Sequence, residues 1–405
     1  MENKNLDIKD NDLDPSRLDA CLISITSDCN LRCVYCASIQ PWYKRMDLDM
    51  GILDDLINEF RLFGLNTFVA SGHGETTIVP DWHNFLRKIR SQEFGLSITS
   101  NFARIFNEEE IDLLARMDDV VISIDTVDRE LLMKIRQSVC LETILYNMFK
   151  ISIKAKQLGK KTHFAWQNTL SDLVVPHLKE YIEYGLESGV KRFHFHNLIE
   201  HEPIPGILHA RHPSTLPIEQ LINLIQAFYE IINIIKSNGG TFYIQPGLEE
   251  RINTSLISAG LPAARLGQYY DHRSPINKES MSIQRAFMVS AKTPANKYDT
   301  ANRIKELETR GCVDPWTNPY ILPNGDVWPC CWSYDPIGNI YKEKFRDIWN
   351  GNNVRKLRHE LLSGNLRKQC LECPCRSWAN PHRFLEYVRS LPLSNIKLCA
   401  RKKRK

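Results

Sequence analysis

Short apolar runs rich in β-branched residues alternate with helical stretches through the first half of this chain. That alternation narrows the fold more than any other feature. Residues 22–26, 67–71, 96–100, 120–124, 162–168 and 192–197 read as strands. Between them, apolar residues recur at helical spacing: Ile52, Leu53, Leu56, Ile57 and Phe60; Phe85, Leu86 and Ile89; Ile111, Leu114 and Met117. Asp49, Asp128 and Asn107 (paired with Glu110) supply start signals. Residues 172–188 and 218–235 read as two further helices. Such an order predicts an α/β fold, a parallel sheet under helical cover, wound right-handed into an open or partly closed barrel. Ligand chemistry in these folds gathers at the C-terminal strand ends. Here the first four strands run into residues 27–36, 72–77, 100–101 and 125–126, all rich in polar or ligand-type side chains.

The cysteines add a second constraint. Of twelve, four lie between Cys21 and Cys36 and seven between Cys312 and Cys399, with Cys140 alone between the groups and read as core. With 405 residues and 43% hydrophobic content the chain has enough apolar material for a large core without disulfides. The acidic, polar start is unlike a signal peptide, and no apolar run reaches the ~18 residues of a membrane span. A reducing cytoplasmic setting is therefore expected, where grouped thiols act as metal ligands. Charge is nearly balanced, 52 Lys and Arg against 48 Asp and Glu, so no nucleic-acid partner is expected. The basic end at 401–405 reads as a solvated terminus.

Cys29, Cys33 and Cys36 follow the first strand in a C-x3-C-x2-C loop. Cys21 lies about five residues, or ~17 Å of extended chain, before the strand's end, so three ligands are grouped locally. Three thiolates on a four-iron cluster leave one iron open for another ligand. This spacing, with Tyr35 before the third cysteine, resembles the signature of the radical S-adenosylmethionine superfamily, and the resemblance extends over much of residues 20–200. It implies a partial (β/α)6 TIM-like barrel with a [4Fe–4S] cluster binding S-adenosylmethionine. Reductive cleavage of the sulfonium would then yield a 5′-deoxyadenosyl radical that abstracts hydrogen from an unactivated carbon. Gly72, His73, Gly74, Glu75 and Thr76 resemble the Gly-Gly-Glu-Pro motif that receives the methionine ammonium, with Thr76 in place of proline and so a less rigid turn. Ser100 and Asn101 resemble the polar pair holding the methionine end. Ser123 and Asp125 resemble positions reaching the ribose and carboxylate. Arg136 lies where relatives keep an arginine near the cofactor.

The second group opens at Cys312 and runs through an Asn324-Gly325 hairpin signal to Cys330, then returns with Cys370 and Cys373. As a bare ligand set this suits an iron–sulfur cluster or zinc. It resembles the SPASM and twitch extensions of the same superfamily, with Cys312, Cys330, Cys370 and Cys373 the implied ligands of one auxiliary [4Fe–4S] cluster. A full SPASM pattern has more cysteines after the C-x2-C, so Cys331, Cys375 and Cys399 stay unassigned. The expected domains are a polar tail at 1–19, the barrel at 20–240, and a linker or substrate-covering region at 241–310. A Cys-rich β-hairpin and helix module follows at 311–380, then a C-terminal helix and basic tail at 381–405.

On the sixth strand, alternation puts Arg192, His194 and His196 on one face and Phe193, Phe195 and Asn197 on the other. Histidines turned to the lumen would accept the proton lost in an oxidation; hydrogen-bonded structural histidines are the alternative. His163, Trp166 and Gln167 pose the same choice, and Trp42 and Tyr43 read as a shield for the first cluster. The resemblance implies an oxidoreductase acting on a small, sugar-like metabolite, with the auxiliary cluster accepting an electron and a flavodoxin- or ferredoxin-type donor supplying one. The second reading is a maturase that crosslinks or epimerises a ribosomally made precursor peptide. The short stretch before the first strand weighs against a built-in peptide-clamping domain and against a cobalamin methyltransferase.

Overall fold

The computed structural model describes residues 6–92, 94–160, 163–266, 309–373, 375–376, 378–392 and 394. It divides into two compact units. The larger takes residues 24–47 and 69–271, the smaller residues 1–23, 48–68 and 272–405. The chain starts in the smaller unit with β1 (Ala20–Ile23) and α1 (Leu53–Phe63) and passes into the larger one within β2 (Thr67–Ala70). There follow α2 (Trp82–Arg90), β3 (Gly95–Ser100), α3 (Glu108–Leu114), β4 (Asp119–Ser123), α4 (Arg129–Arg136) and α5 (Leu141–Gln157). The unit continues with β5 (Phe164–Leu170), α6 (Leu178–Glu187), β6 (Arg192–Asn197), α7 (Ile218–Ser237), β7 (Thr241–Ile244) and α8 (Pro246–Ser258).

The strands of the larger unit lie in the order β2-β3-β4-β5-β6-β7, parallel from β3 to β7. Register explains the two faces. Ile122, Trp166, Phe193 and Phe242 are successive partners across β4 to β7. They form an apolar row under the helices: Trp166 and Phe193 meet Tyr181 of α6 at 5.2 and 6.0 Å, and Phe195 meets Phe228 of α7 at 5.4 Å. Burying each such ring contributes about 2–3 kcal/mol. One residue further along, Ser123, Gln167, His194 and Tyr243 pair across the same strands and share the opposite, inner face. The start signals act as expected. Asn107 accepts from the Glu109 and Glu110 amides while Glu110 bonds back, and Asp128 accepts from the Leu131 amide.

In the smaller unit β8 (Thr309–Arg310), helix α9 (Asp314–Thr317), β9 (Tyr320–Ile321), β10 (Asp326–Trp328) and β11 (Gly338–Asn339) come first. Then follow α10 (Phe345–Asn350), α11 (Asn352–Ser363), α12 (Lys368–Leu371), β12 (Trp378–Ala379) and α13 (Pro381–Ser390). β9 and β10 are antiparallel around Gly325, whose φ of +81° suits glycine. β9 also pairs parallel with β1, Leu22 opposite Tyr320, giving the order β11-β10-β9-β1. α1 seats Phe60 and Phe63 on Phe345 at 5.7 and 5.5 Å, and Glu59 accepts 2.9 Å bonds from the backbone amide and Nε of Arg346.

Several boundaries differ from the sequence expectation. β7 and α8 fall in the stretch expected to be a linker. Thr-Phe-Tyr-Ile is too short after Gly239-Gly240 to declare itself, yet it pairs fully with β6. The rest of that stretch, 267–308, lies outside the described residues, as do Thr162, Cys399 and the basic end. From Leu6 onward the expected polar tail packs on the core. Leu6, Ile8 and Leu13 pack against the cluster of Trp316, Leu361 and Phe384, and buried Asp12 pairs with Arg389 at 2.8 Å. The hairpin of the expected separate Cys-rich module completes a sheet edge begun by β1, because an unpaired edge is costly to leave bare. Cys140 is exposed and not core: it sits at the N-cap of α5, its thiol on Glu142.

Candidate active site

The thiols of Cys29, Cys33 and Cys36 are free and half-buried in one loop of the larger unit. Backbone amides point at two of them, Leu31 N–H to Cys29 Sγ at 3.4 Å and Ser38 N–H to Cys36 Sγ at 3.5 Å. The Asn101 side-chain amide reaches Cys29 Sγ at 3.8 Å and donates to Asn30 Oδ1 at 2.8 Å. Burial pushes the Cys29 thiol up to about 11 and the Cys33 thiol up to about 12. Thiols held protonated in this way become ligands when a metal supplies the compensating charge. Among the described residues no three His, Cys, Asp or Glu side chains converge on a single-ion point. Three thiols in one loop are a donor set that fits a [4Fe–4S] cluster with three protein ligands.

Gly72 and Gly74 are required by packing. A Cβ on Gly72 would lie 2.2 Å from Ser24 Cβ, and one on Gly74 2.3 Å from the Asp28 carbonyl. Ser24 Oγ accepts from the His73 amide at 3.2 Å, and the Glu75 amide donates to Asp28 O at 2.8 Å. The 72–75 turn is thereby stitched to the start of the cysteine loop. The Glu75 carboxylate is fully engaged. It accepts from the Thr77 amide and hydroxyl, from Ser100 Oγ at 2.8 Å and from the Asn101 amide at 2.8 Å. Glu75 thus sets the end of β3, and through Asn101 it sets Cys29. Thr76 begins a short 3-10 turn capped by Glu75. Its amide is one of the terminal donors that lack an intrahelical partner, so the missing proline costs little there.

Asp125 is the second hub. Its carboxylate accepts from Tyr35 Oη at 2.7 Å, Arg136 Nε at 2.8 Å and the Thr169 amide at 2.9 Å. Both members of the Asp125–Arg136 ion pair are buried. Burial pushes the Tyr35 phenol well up, which keeps it a donor. The backbone of α4 continues the link: Ile135 O accepts from the Val34 amide at 2.8 Å, and Arg136 O faces Cys33 Sγ at 4.0 Å. Arg136 and Asp125 therefore brace the cysteine loop. Left-handed φ values at Phe102 (+53°), Gln137 (+48°) and Ser138 (+71°) sit directly after Asn101 and Arg136, where strain of this kind gathers around working sites.

Ser123 is half-buried at the end of β4, on the inner-face row with Gln167, His194 and Tyr243. The His194 and Tyr243 rings meet at 6.0 Å, His196 and Tyr243 at 5.9 Å, and the two imidazoles at 6.4 Å. Trp166 faces the helices, away from this row. Trp42 is 63% exposed, edge-on to His201, whereas Tyr43 Oη donates toward Ser27 O and His73 O. Sequence reading missed Ser24, Asn30 and Thr169, whose polar side chains or amides carry no motif. It also missed Tyr243, which alternation would have found had β7 been recognised.

In the smaller unit, Cys312 lies within electrostatic reach of Cys330 and Cys373, and Cys370 within reach of Cys373; Cys375 is hydrogen-bonded to both Cys331 and Cys373. Burial pushes Cys370 up to about 12. Cys373 is drawn down to about 7, first by Cys375 and then by the Arg310 and Arg376 charges. A group of thiols flanked by guanidinium charge fits an anionic iron–sulfur cluster held by protein ligands.

Comparison with known proteins finds two domains in the chain. Residues 23–155 match the radical SAM superfamily model and residues 312–374 the SPASM iron–sulfur cluster-binding domain. A probable GTP 3′,8-cyclase of Pyrococcus abyssi is 31% identical over 108 residues, 27% of this chain and 35% of that protein. An AdoMet-dependent heme synthase of Methanosarcina barkeri is 36% identical over 90 residues, 20% of this chain and 25% of that protein. The chain thus spans about a third or less of these relatives. The fold matches that of Streptococcus suis SuiB (TM-score 0.56, 16% identity, 86% of this chain and 69% of that one). It also matches anSMEcpe with bound AdoMet (TM-score 0.54, 15% identity, 95% and 91%). No helix among the described residues is long and apolar enough to cross a membrane. S-adenosylmethionine, a [4Fe–4S] cluster and auxiliary iron–sulfur binding follow from the two domains the chain carries, a radical SAM domain over residues 23–155 and a SPASM iron–sulfur cluster-binding domain over residues 312–374.

Proposed function

We propose that this enzyme oxidises a small polar metabolite by two electrons, with Cys29, Cys33 and Cys36 as cluster ligands and His194 or His196 as proton acceptor. The observation that carries it is the inner-face row Ser123–Gln167–His194–Tyr243. This row sets imidazole, amide and hydroxyl groups along the inner face of the sheet, leading toward the C-terminal strand ends where such folds bind ligands. When bound, the cluster and S-adenosylmethionine supply hydrogen-atom abstraction from an unactivated carbon. The chain's own residues do the rest. Glu75 and Asp125 fix the loops, Ser123 and Asn101 would offer polar groups to the cofactor, and an imidazole takes the proton that leaves with the substrate's second electron. Cys312, Cys330, Cys370 and Cys373 hold the auxiliary cluster that receives that electron.

Substrate class is tested by anaerobic turnover with dithionite, S-adenosylmethionine and a panel of sugars and aminocyclitols. One 5′-deoxyadenosine per product, and a product lighter by two hydrogens, is expected. A product unchanged in mass, or no 5′-deoxyadenosine with any panel member, contradicts the reading. A second reading, modification of a precursor peptide, is favoured by the fold neighbours: SuiB has been solved bound to the precursor peptide SuiA and anSMEcpe with peptides. Turnover of a peptide and of no panel member would select it.

A further inference from the structure

Arg310 is 3% exposed and belongs to none of the motifs. Its guanidinium donates to three backbone carbonyls of the returning cysteine segment: Nε to Cys370 O at 3.1 Å, Nη2 to Leu371 O at 2.7 Å and Nη1 to Arg376 O at 2.9 Å. The ring of Trp378 covers it at 4.0 Å, and β8 and β12 pair with Arg310 opposite Trp378. Its own carbonyl accepts from the Cys312 amide at 2.8 Å. A single residue therefore ties the first cysteine of the group to the segment carrying Cys370, Cys373 and Cys375. Arg376 answers in the other direction, reaching Asp314 at 2.6 Å, two residues past Cys312.

We propose that Arg310 is the positioning residue of the auxiliary cluster: its planar fork fixes the cysteine segment in ligating geometry, and its charge raises the cluster's reduction potential. A planar guanidinium can hold three carbonyls at once, whereas an ammonium cannot match that geometry. A cation close to the thiolates stabilises the more negative, reduced cluster. The inference concerns the cluster alone and does not depend on the substrate.

The test uses the full chain with Cys29, Cys33 and Cys36 replaced by Ala, so that the auxiliary cluster is the only iron centre. Iron retention against a chelator and the midpoint potential by EPR-monitored titration are measured for Arg310, Arg310→Lys and Arg310→Gln. Arg310→Gln is expected to lose iron about 10–100-fold more readily and to shift its midpoint to more negative values. Arg310→Lys should restore the midpoint toward that of Arg310 without restoring retention. If Arg310→Gln fails to fold, Arg310→Lys decides: retention equal to that of Arg310 overturns the proposal. An Arg310→Gln midpoint unchanged from Arg310 overturns the charge role.

Discussion

The two thiol groups are supported in opposite ways. In the larger unit three cysteines sit in a single loop, and polar hubs at a distance in sequence, Glu75 and Asp125, hold that loop with every carboxylate oxygen engaged. In the smaller unit six thiols come from three separated segments, and Arg310, holding backbone carbonyls, and Arg376, paired with Asp314, join the first of these to the last. A loop that must leave one iron open needs rigidity supplied from outside its own ligands. A site closed by four protein ligands draws much of its rigidity from the cluster itself. The contrast predicts that damage to the braces around the first site appears as lost folding stability, and damage to those around the second as lost iron.

The largest effect expected is on iron and turnover together. Replacing Cys29, Cys33 and Cys36 by Ala should reduce reconstituted iron from about eight to about four per chain and abolish 5′-deoxyadenosine formation. Iron unchanged by the triple replacement would erase the distinction between the two groups. Next, Arg136→Met or Asp125→Asn strands a buried partner and should cost about 3–5 kcal/mol, read as a fall in the urea midpoint of the apo-protein. A loss below about 1 kcal/mol would show that the hub does not brace the loop. Gly72→Ala or Gly74→Ala, each forcing a Cβ into Ser24 or the Asp28 carbonyl, should cost about 1–3 kcal/mol in the same assay.

His212 gives a pH signature to the larger unit. Its Nδ1 accepts from the Ser214 amide at 3.0 Å and its Nε2 faces Asn197 Oδ1 at 2.6 Å, with Glu200 bonded to its backbone amide and Arg251 paired to Glu200. Burial, helped by the Arg251 charge, lowers its pKa to about 3. The folded state therefore binds fewer protons than the unfolded state below pH ~6.5, so the stability this neutral ring confers is present above that pH and is lost as pH falls toward 3. Between pH 7.5 and 5.5 the native chain should lose about 1.4 kcal/mol more than His212→Gln. Parallel pH curves for the two proteins would contradict the assignment. The smallest effect belongs to Thr76→Pro, which follows an extended Glu75 and starts a 3-10 turn. It should raise stability by about 0.4–1 kcal/mol, and a destabilisation would show that the Thr76 amide or hydroxyl has work in the turn.

What could be read from the sequence tracks how local each feature is. The C-x3-C-x2-C loop, the Asn107 and Asp128 caps and the Asn324-Gly325 hairpin are written in adjacent residues, and alternation alone put His194 and His196 opposite Phe193 and Phe195. β7 was too short to announce itself against its glycine-rich approach. The burial of the N-terminal segment depends on Trp316, Arg358 and Arg389, all more than 300 residues away. Asp125 and Glu75 were picked out from motifs that resemble cofactor-binding ones, and their role as buried braces for neighbouring loops was not legible there. Their acceptor geometry depends on amides and side chains from other strands that no motif lists. Arg310 escaped notice for the same reason: its partners are backbone carbonyls, which have no sequence signature.

The central claim is that Cys29, Cys33 and Cys36 hold a cluster with one iron left for S-adenosylmethionine. It is tested most directly by EPR of the reduced, anaerobic full chain with Cys330, Cys370 and Cys373 replaced by Ala, recorded before and after S-adenosylmethionine is added. The account predicts a cluster signal whose g-values shift on addition, and loss of both signal and shift when Cys29 is also replaced. A signal that S-adenosylmethionine leaves unchanged would contradict it.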